Sequence, residues 1–187
     1  MITLYGTRET RAFRVLWMLE ELGVPYQHVK TDFASGDTRT PEFLRINPNG
    51  HVPALVDGEL RLFESMAINL YLAERYGAGR LFPESLEDRA RALQWSFWVM
   101  TEFEAHLFAV LFARGGSQFA KWREWTESAE FKETHPGHVP PDAKAARAAL
   151  EQPFLVLDEA LSDREYLLGS EFGVADLNVA SVLVTAR

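Results

Sequence analysis

The chain has 187 residues, enough for one large domain or two small ones. With 19 basic against 27 acidic residues and a net charge of −8, it lacks the positive balance behind non-specific binding to nucleic acid or to an anionic membrane surface. It contains no cysteine, which excludes disulfides, a protein thiolate and thiolate metal sites.

Met1-Ile2-Thr3-Leu4-Tyr5 opens as a strand, without the basic segment and long apolar stretch of a secretory leader. The longest unbroken apolar run, Leu107 to Ala113, is far shorter than the ~20 residues of a membrane span. A cytoplasmic location is the expectation. Ile2–Tyr5 reads as the first strand. Ala12, Val15, Leu16 and Leu19 fall at helical spacing, and Gly23 closes that helix. Tyr26–Lys30 reads as a second strand, so the first three elements suggest a parallel crossover unit. Ala54–Val56 and Leu60–Phe63 flank the hairpin signal Asp57-Gly58. Ala67, Ile68, Tyr71 and Leu72 form a helical stripe that Gly77 ends. Gly77 to Pro83 reads as a linker. Beyond it the alternation of strands stops. Leu86 to Arg114 reads as one long helix without Gly or Pro. Its aromatics (Trp95, Phe97, Trp98, Phe103, Phe108, Phe112) do not share one face. Either it is central to a bundle, or it also supplies a dimer surface or an apolar co-substrate wall. Phe119 to Lys132 reads as irregular helix, and His135 to Pro141 as a loop. Ala143 to Leu161 is helical with a kink or split at Pro153, and a last helix starts at Asp176.

Chemistry concentrates in the first half. Asn47-Pro48-Asn49-Gly50 punctuates a turn, and His51-Val52-Pro53 leads into the strand Ala54–Val56. An X-Pro bond takes the cis form at a cost of only ~0.5–1 kcal/mol. Glu64-Ser65 stands at the start of a helix, where unpaired amides suit an anionic group. Together these describe a site for an extended, peptide-like anion, with backbone pairing at Val52 and carboxylate capture at Ser65. The plain alternative makes Ser65 an N-cap and Glu64 a charge beside the helix dipole. Arg8, Arg11 and His51 are the nearest sources of positive charge. His135 and His138 lie in a Pro/Gly loop with no third ligand nearby, so no metal site is expected.

With Leu4-Tyr5-Gly6 and Arg11-Ala12-Phe13-Arg14-Val15-Leu16-Trp17 ahead of the turn, the chain resembles the glutathione transferase family, bacterial-type with a Ser/Thr active site, from Met1 to about Val184. The resemblance implies an α/β thioredoxin-like N-terminal domain (βαβαββα) over residues 1–76, a linker over 77–85 and an all-α helical-bundle domain over 86–187. It implies a cytoplasmic homodimer that binds glutathione as co-substrate and uses no metal. The Val52 backbone and Pro53 would receive the cysteinyl moiety. Ser65 and its amide would hold the γ-glutamyl carboxylate, Glu64 would face the ammonium, and His51 would reach the glycyl carboxylate or remain a solvated loop histidine. Asp176, in Gly173-Val174-Ala175-Asp176-Leu177, matches an aspartate that is structural in the family. Relatives usually continue for a few tens of residues past that helix, so the C-terminal end is expected to be short.

A transferase must stabilise the thiolate of glutathione. A pKa drop of ~2 units takes ~2.7 kcal/mol, within reach of one hydroxyl hydrogen bond plus a helix N-terminus. Tyr5, Thr7 and Thr10 lie between the first strand and the first helix. Thr7 leads, because the family's serine falls four residues before the arginine matching Arg11. Thr10 is the alternative, with an ordinary N-cap as its plain reading. Tyr5 most simply packs as a strand residue. The implied activity is conjugation of the glutathione thiolate to small apolar electrophiles. The alternatives are a non-catalytic glutathione-binding or scaffold protein, and a glutathione-dependent isomerase or peroxidase. Chemistry through a mixed disulfide with the protein is closed to a chain without cysteine.

Overall fold

The computed structural model describes residues 1–77, 79–115, 124, 126–137 and 142–184. Its N-terminal part runs β1 (Ile2–Tyr5), α1 (Ala12–Leu22), β2 (Tyr26–Val29), a 3₁₀ turn (Asp37–Arg39), α2 (Pro41–Leu44), β3 (Ala54–Asp57), β4 (Leu60–Phe63) and α3 (Ser65–Tyr76). This is the thioredoxin-like order βαβαββα. The sheet order is β2-β1-β3-β4, with β1 parallel to β2 and antiparallel to β3, and β3 antiparallel to β4. β1 buries alternate residues, Ile2 and Leu4, at the period of a strand. Val15, Met18 and Leu19 of α1 and Ile68 and Leu72 of α3 complete that core.

The register positions the site. Tyr5 ends β1 opposite Ala54, and Ala54 in turn faces Phe63 at the end of β4. Three connections therefore leave the sheet at one edge: the loop after Tyr5, the turn before Ala54, and the entry to α3 after Phe63.

Gly23 and Gly77 end their helices as expected, Gly23 in the left-handed conformation (φ 64°) and Gly77 without it (φ −80°). A Cβ at Gly77 would lie 2.3 Å from the Ala73 carbonyl oxygen, so space is what requires glycine there. Several local expectations need correction. The buried face of α3 is Ser65, Met66, Ile68, Asn69, Leu72 and Ala73; Ala67 is exposed. The long helix is α4 (Leu86–Trp98) and α5 (Ala105–Arg114) joined by a π-helical stretch, Val99–Glu104. Such wide turns are rare and leave no simple sequence signal. The following described helices are α6 (Ala129–Thr134), α7 (Ala143–Ala149), α8 (Glu151–Ala160) and α9 (Val174–Leu183). The break between α7 and α8 falls before Pro153, where a proline ring clashes with the carbonyl four residues earlier, that of Ala149. Most of Phe119 to Lys132 ahead of Ala129, and His138 to Pro141, lie outside the described residues.

Contacts divide the chain at other places than residues 76 and 86. Among the described residues, one unit comprises 1–97 and 164–184 and the other lies within 98–163. α9 belongs to the first unit, because Val174, Ala175, Leu177, Val179 and Val182 are all buried and α9 packs on α1 and α3. Asp176 ties this helix down structurally. Its carboxylate accepts the N–H of Leu167 (2.7 Å) and of Gly173 (2.9 Å), while burial pushes its pKa above the usual carboxylate range. In the second unit α5 packs along α7, and the buried Phe103 meets Phe154 edge-on at 5.0 Å. Leu86–Arg114 is long and apolar enough to cross a bilayer by length and composition alone, although no unbroken apolar run in it suggested so. Val99, Phe103, Leu107, Ala109 and Leu111 are buried in protein, which accounts for that composition as a core helix.

Candidate functional site

The first wall of the site is the loop after β1. Gly6 takes φ 141°, and a Cβ there would sit 2.5 Å from Ala12 Cβ and 3.3 Å from Val52 Cβ. The glycine thus lets the loop lie against both α1 and the Val52 turn. Gly6 N–H donates to Val29 O (3.2 Å), and the His28 ring pairs with Gly6 O (2.9 Å). Thr7 is buried, and its hydroxyl makes no hydrogen bond among the described residues. Thr10 is different. Its Oγ1 donates to Thr7 O (2.8 Å) and accepts from Ala12 N–H (3.2 Å). That is the capping role, carried out one position before the Arg11 that bounds α1. A hydroxyl has one proton, and that of Thr10 is committed. Tyr5 packs edge-on against Phe43 at 6.1 Å, as a strand residue does.

The second wall is the turn. The Val52-Pro53 bond is cis, as the sequence permitted. Asn47 is buried and organises the turn. Its Nδ2 donates to His51 O (2.7 Å), and its Oδ1 accepts Asn49 N–H (3.1 Å). Among the described residues neither the N–H nor the C=O of Val52 takes a hydrogen bond. His51 is exposed. Arg39, which the sequence reading did not single out, donates from Nη1 to Asn49 O (3.3 Å). It brings a guanidinium beside Asn49 and Gly50.

The third wall is the start of α3. Glu64 is exposed and takes φ 70°, ψ 113°, the only non-glycine with positive φ among the described residues. Such a conformation is uncommon outside glycine and clusters at binding sites. Glu64, not Ser65, is the N-cap; Ser65 is the first helical residue and 3% exposed. Arg14, also 3% exposed, donates from Nη1 to Ser65 Oγ (3.3 Å). Ser65 Oγ is thereby an acceptor, and its own proton remains available to a ligand. Arg14 was read only as part of the first-helix run. Its signal in the sequence is an arginine between Ala12 and Val15 in an otherwise apolar stripe.

Behind these walls lies a buried polar chain. Asn69 Nδ2 donates to Arg14 O (3.4 Å) and to Asn178 Oδ1 (2.8 Å), Asn178 Nδ2 donates to Ser96 Oγ (2.9 Å), and Ser96 Oγ donates to Ala92 O (2.7 Å). Among the described residues Asn69 Oδ1 is buried without a partner. Among the same residues no group of three or more His, Cys, Asp or Glu can hold a metal. His135 stacks on Phe131 at 4.2 Å, and His138 lies outside the described residues.

The chain is similar to known proteins over most of its length. The model of the glutathione S-transferase N-terminal domain matches residues 1–74, and that of the C-terminal domain matches residues 117–187. The chain is 35% identical to glutathione S-transferase GstB of Escherichia coli (strain K12), over 96% of this chain and 80% of the relative. It is 30% identical to the disulfide-bond oxidoreductase YfcG of the same organism, over 95% and 76%. A glutathione transferase family member from Pseudomonas fluorescens, solved with two glutathione bound, superposes with a TM-score of 0.78 at 27% identity, covering 99% of this chain and 76% of that one. On sequence and structure alike, the chain belongs to the glutathione S-transferase family.

Proposed function

We propose that this chain binds glutathione across the three walls and transfers its thiolate to small apolar electrophiles. The observation that carries the reading is the buried Arg14–Ser65 pair at the first turn of α3. A guanidinium keeps its charge at every accessible pH, so it holds Ser65 Oγ as an acceptor whatever the pH and leaves that hydroxyl's proton for a carboxylate. Ser65 contributes its remaining proton, and the first amides of α3 contribute theirs. The unpaired Val52 amide and carbonyl suit the cysteinyl backbone in the manner of an added strand. Exposed Glu64 suits the γ-glutamyl ammonium, and His51 with Arg39 suits the glycyl carboxylate.

Thr7 is the proposed activating residue, with Thr10 as the alternative. The uncommitted hydroxyl of Thr7 supports that order, because a donor already held by a carbonyl has no proton for a thiolate. The mechanism needs no general base. A hydroxyl hydrogen bond lowers the thiol pKa, the thiolate attacks the electrophilic carbon, and the leaving group or the adjacent double bond takes the electron pair. Glutathione-affinity retention together with conjugation of an aryl halide tests the reading. Retention without turnover over a panel of electrophiles would refute the transferase step alone.

The likeness to a disulfide-bond oxidoreductase favours one second reading. With no cysteine in the chain, the bound glutathione thiolate must itself attack the disulfide, forming a glutathionyl mixed disulfide and releasing the other sulfur as thiolate. A second glutathione then resolves it. Reduction of 2-hydroxyethyl disulfide, compared with aryl-halide conjugation on the same preparation, separates the two.

A further inference from the structure

Thr7, the proposed donor to the thiolate, follows the most pliable residue of its loop. Gly6 has no Cβ and takes φ 141°, so the Gly6–Thr7 peptide turns on a residue with little conformational restraint of its own. Two bonds to β2 supply the restraint. Gly6 N–H donates to Val29 O (3.2 Å), and Gly6 O pairs with Nε2 of the His28 ring at 2.9 Å. A carbonyl oxygen only accepts, so Nε2 carries the proton in this pair. On the other side, Thr7 O accepts the N–H (3.1 Å) and the hydroxyl (2.8 Å) of Thr10. The carbonyls before and after the Thr7 side chain are thus both tied down, and its own hydroxyl makes no hydrogen bond among the described residues. His28 stands on β2, an edge strand, and is exposed, so core packing does not call for an imidazole there. The one hydrogen bond its side chain makes among the described residues goes to the carbonyl that precedes Thr7.

We infer that His28 is a positioning residue for the transferase step: its ring holds the Gly6–Thr7 peptide in one orientation and so keeps the Thr7 hydroxyl aimed at the glutathione sulfur. The inference rests on the role proposed above for Thr7. A peptide unit is planar and rigid, so an oxygen held at one point fixes the nitrogen and the Cα of the next residue. Release of that oxygen frees rotation about ψ of Gly6 and carries the start of Thr7 with it. A donor displaced by ~1 Å loses much of its effect on a reacting group. Such support from behind is what keeps a site side chain in its working geometry.

His28→Val keeps a strand former and removes the donor, while His28→Gln restores an N–H at the end of a side chain of similar reach. In the full chain, His28→Val should lower kcat for aryl-halide conjugation roughly 3- to 10-fold, the range for one neutral hydrogen bond, with KM for glutathione within about 2-fold of wild type. The ultraviolet titration of the bound thiolate should move to higher pH. His28→Gln should recover most of both effects. In a Thr7→Val background, His28→Val should add little, because it acts through the Thr7 hydroxyl. His28→Phe, which also lacks the donor, serves if the valine variant does not fold. A merely structural role would lower the melting temperature and leave the titration of the bound thiol in place. An unmoved titration in His28→Val, no recovery with glutamine, or an additive effect on Thr7→Val overturns the inference. A wild type that neither retains glutathione nor conjugates the aryl halide refutes the transferase reading and this role with it. An active wild type matched by His28→Val refutes this role alone.

Discussion

Thr7→Val removes one proton donor and changes little else, because the side chain is buried and valine nearly matches its shape. A hydroxyl that donates to an anion contributes ~1.5–3 kcal/mol. At ~1.4 kcal/mol per pKa unit, its loss raises the pKa of the bound glutathione thiol by ~1–2 units. Turnover at neutral pH then falls roughly 10- to 100-fold, in proportion to the thiolate fraction. The structure argues against compensation by Thr10. Its proton lies on Thr7 O at 2.8 Å and its oxygen holds the Ala12 amide. Turning it toward a ligand would give up a helix cap of ~1 kcal/mol. Glutathione affinity should change little, since the contacts proposed to hold the peptide are those at Val52 and Ser65. Thr7→Ser should keep or raise activity. Ultraviolet absorbance of the bound thiolate, titrated against pH, measures the shift directly. An unchanged titration in Thr7→Val would refute the reasoning, and a shifted one in Thr10→Val would transfer the role.

Ser65→Ala should weaken glutathione binding by ~1–3 kcal/mol, since a bound carboxylate loses a donor; equal retention of wild type and variant on a glutathione resin would remove Ser65 from the site. Asp57 accepts the hydroxyls of Tyr76 and of Tyr71 (2.8 Å for Tyr71), and these hydrogen bonds, that of Tyr76 foremost, hold its carboxyl below the usual range. A lowered folded pKa contributes stability above the unfolded value of about 4 that is lost as pH falls through the folded one, so Asp57→Asn should cost about 1 kcal/mol at pH 7 and flatten the acid limb of the melting temperature against pH; an unchanged limb would contradict this. Burial, then the bond to Asp57, pushes Tyr71 up to about 12, which places a second loss of stability above pH ~10, the unfolded tyrosine value. Phe97 (67% exposed), Leu93 and Leu86 leave apolar surface on α4, which favours a homodimer with an isologous interface; sedimentation equilibrium showing only a concentration-independent 21.2 kDa species would refute it.

The fold was legible where period and punctuation agree. Ile2 and Leu4 alternate, Ala12 to Leu19 repeats at helical spacing, and Gly58 at φ 60° opens the two-residue hairpin between Asp57 and Leu60. The β-strand order did not follow from these signals alone; the family resemblance supplied part of it. The division of contacts was hidden for a different reason. α9 is apolar on nearly every face, so its composition says that it is buried but not against what. The π-helical stretch was hidden because Val99 to Glu104 contains no residue that excludes an ordinary helix.

Of the residues proposed for the site, those that the sequence offered stand at turns or at the start of a helix: Thr7, Val52-Pro53, Glu64 and, as the first residue of α3, Ser65. The illegible ones are polar side chains on buried helix faces. Arg14, Asn69, Ser96 and Asn178 each occupy a position that helical spacing assigns to the core, and each looks in isolation like a break in the pattern. Their partners are 51, 55, 82 and 109 residues away in the chain, so no local window contains both halves of a pair. Burying a polar group without a partner costs roughly 1–3 kcal/mol, and a buried guanidinium costs more. A core that admits four such residues needs them satisfied together. That condition joins α1, α3, α4 and α9 through one set of bonds, with Ser65, the proposed carboxylate contact, at one end. A substitution at Asn178, which touches no proposed ligand group, should therefore be felt first in the packing of α3 and only through it at Ser65.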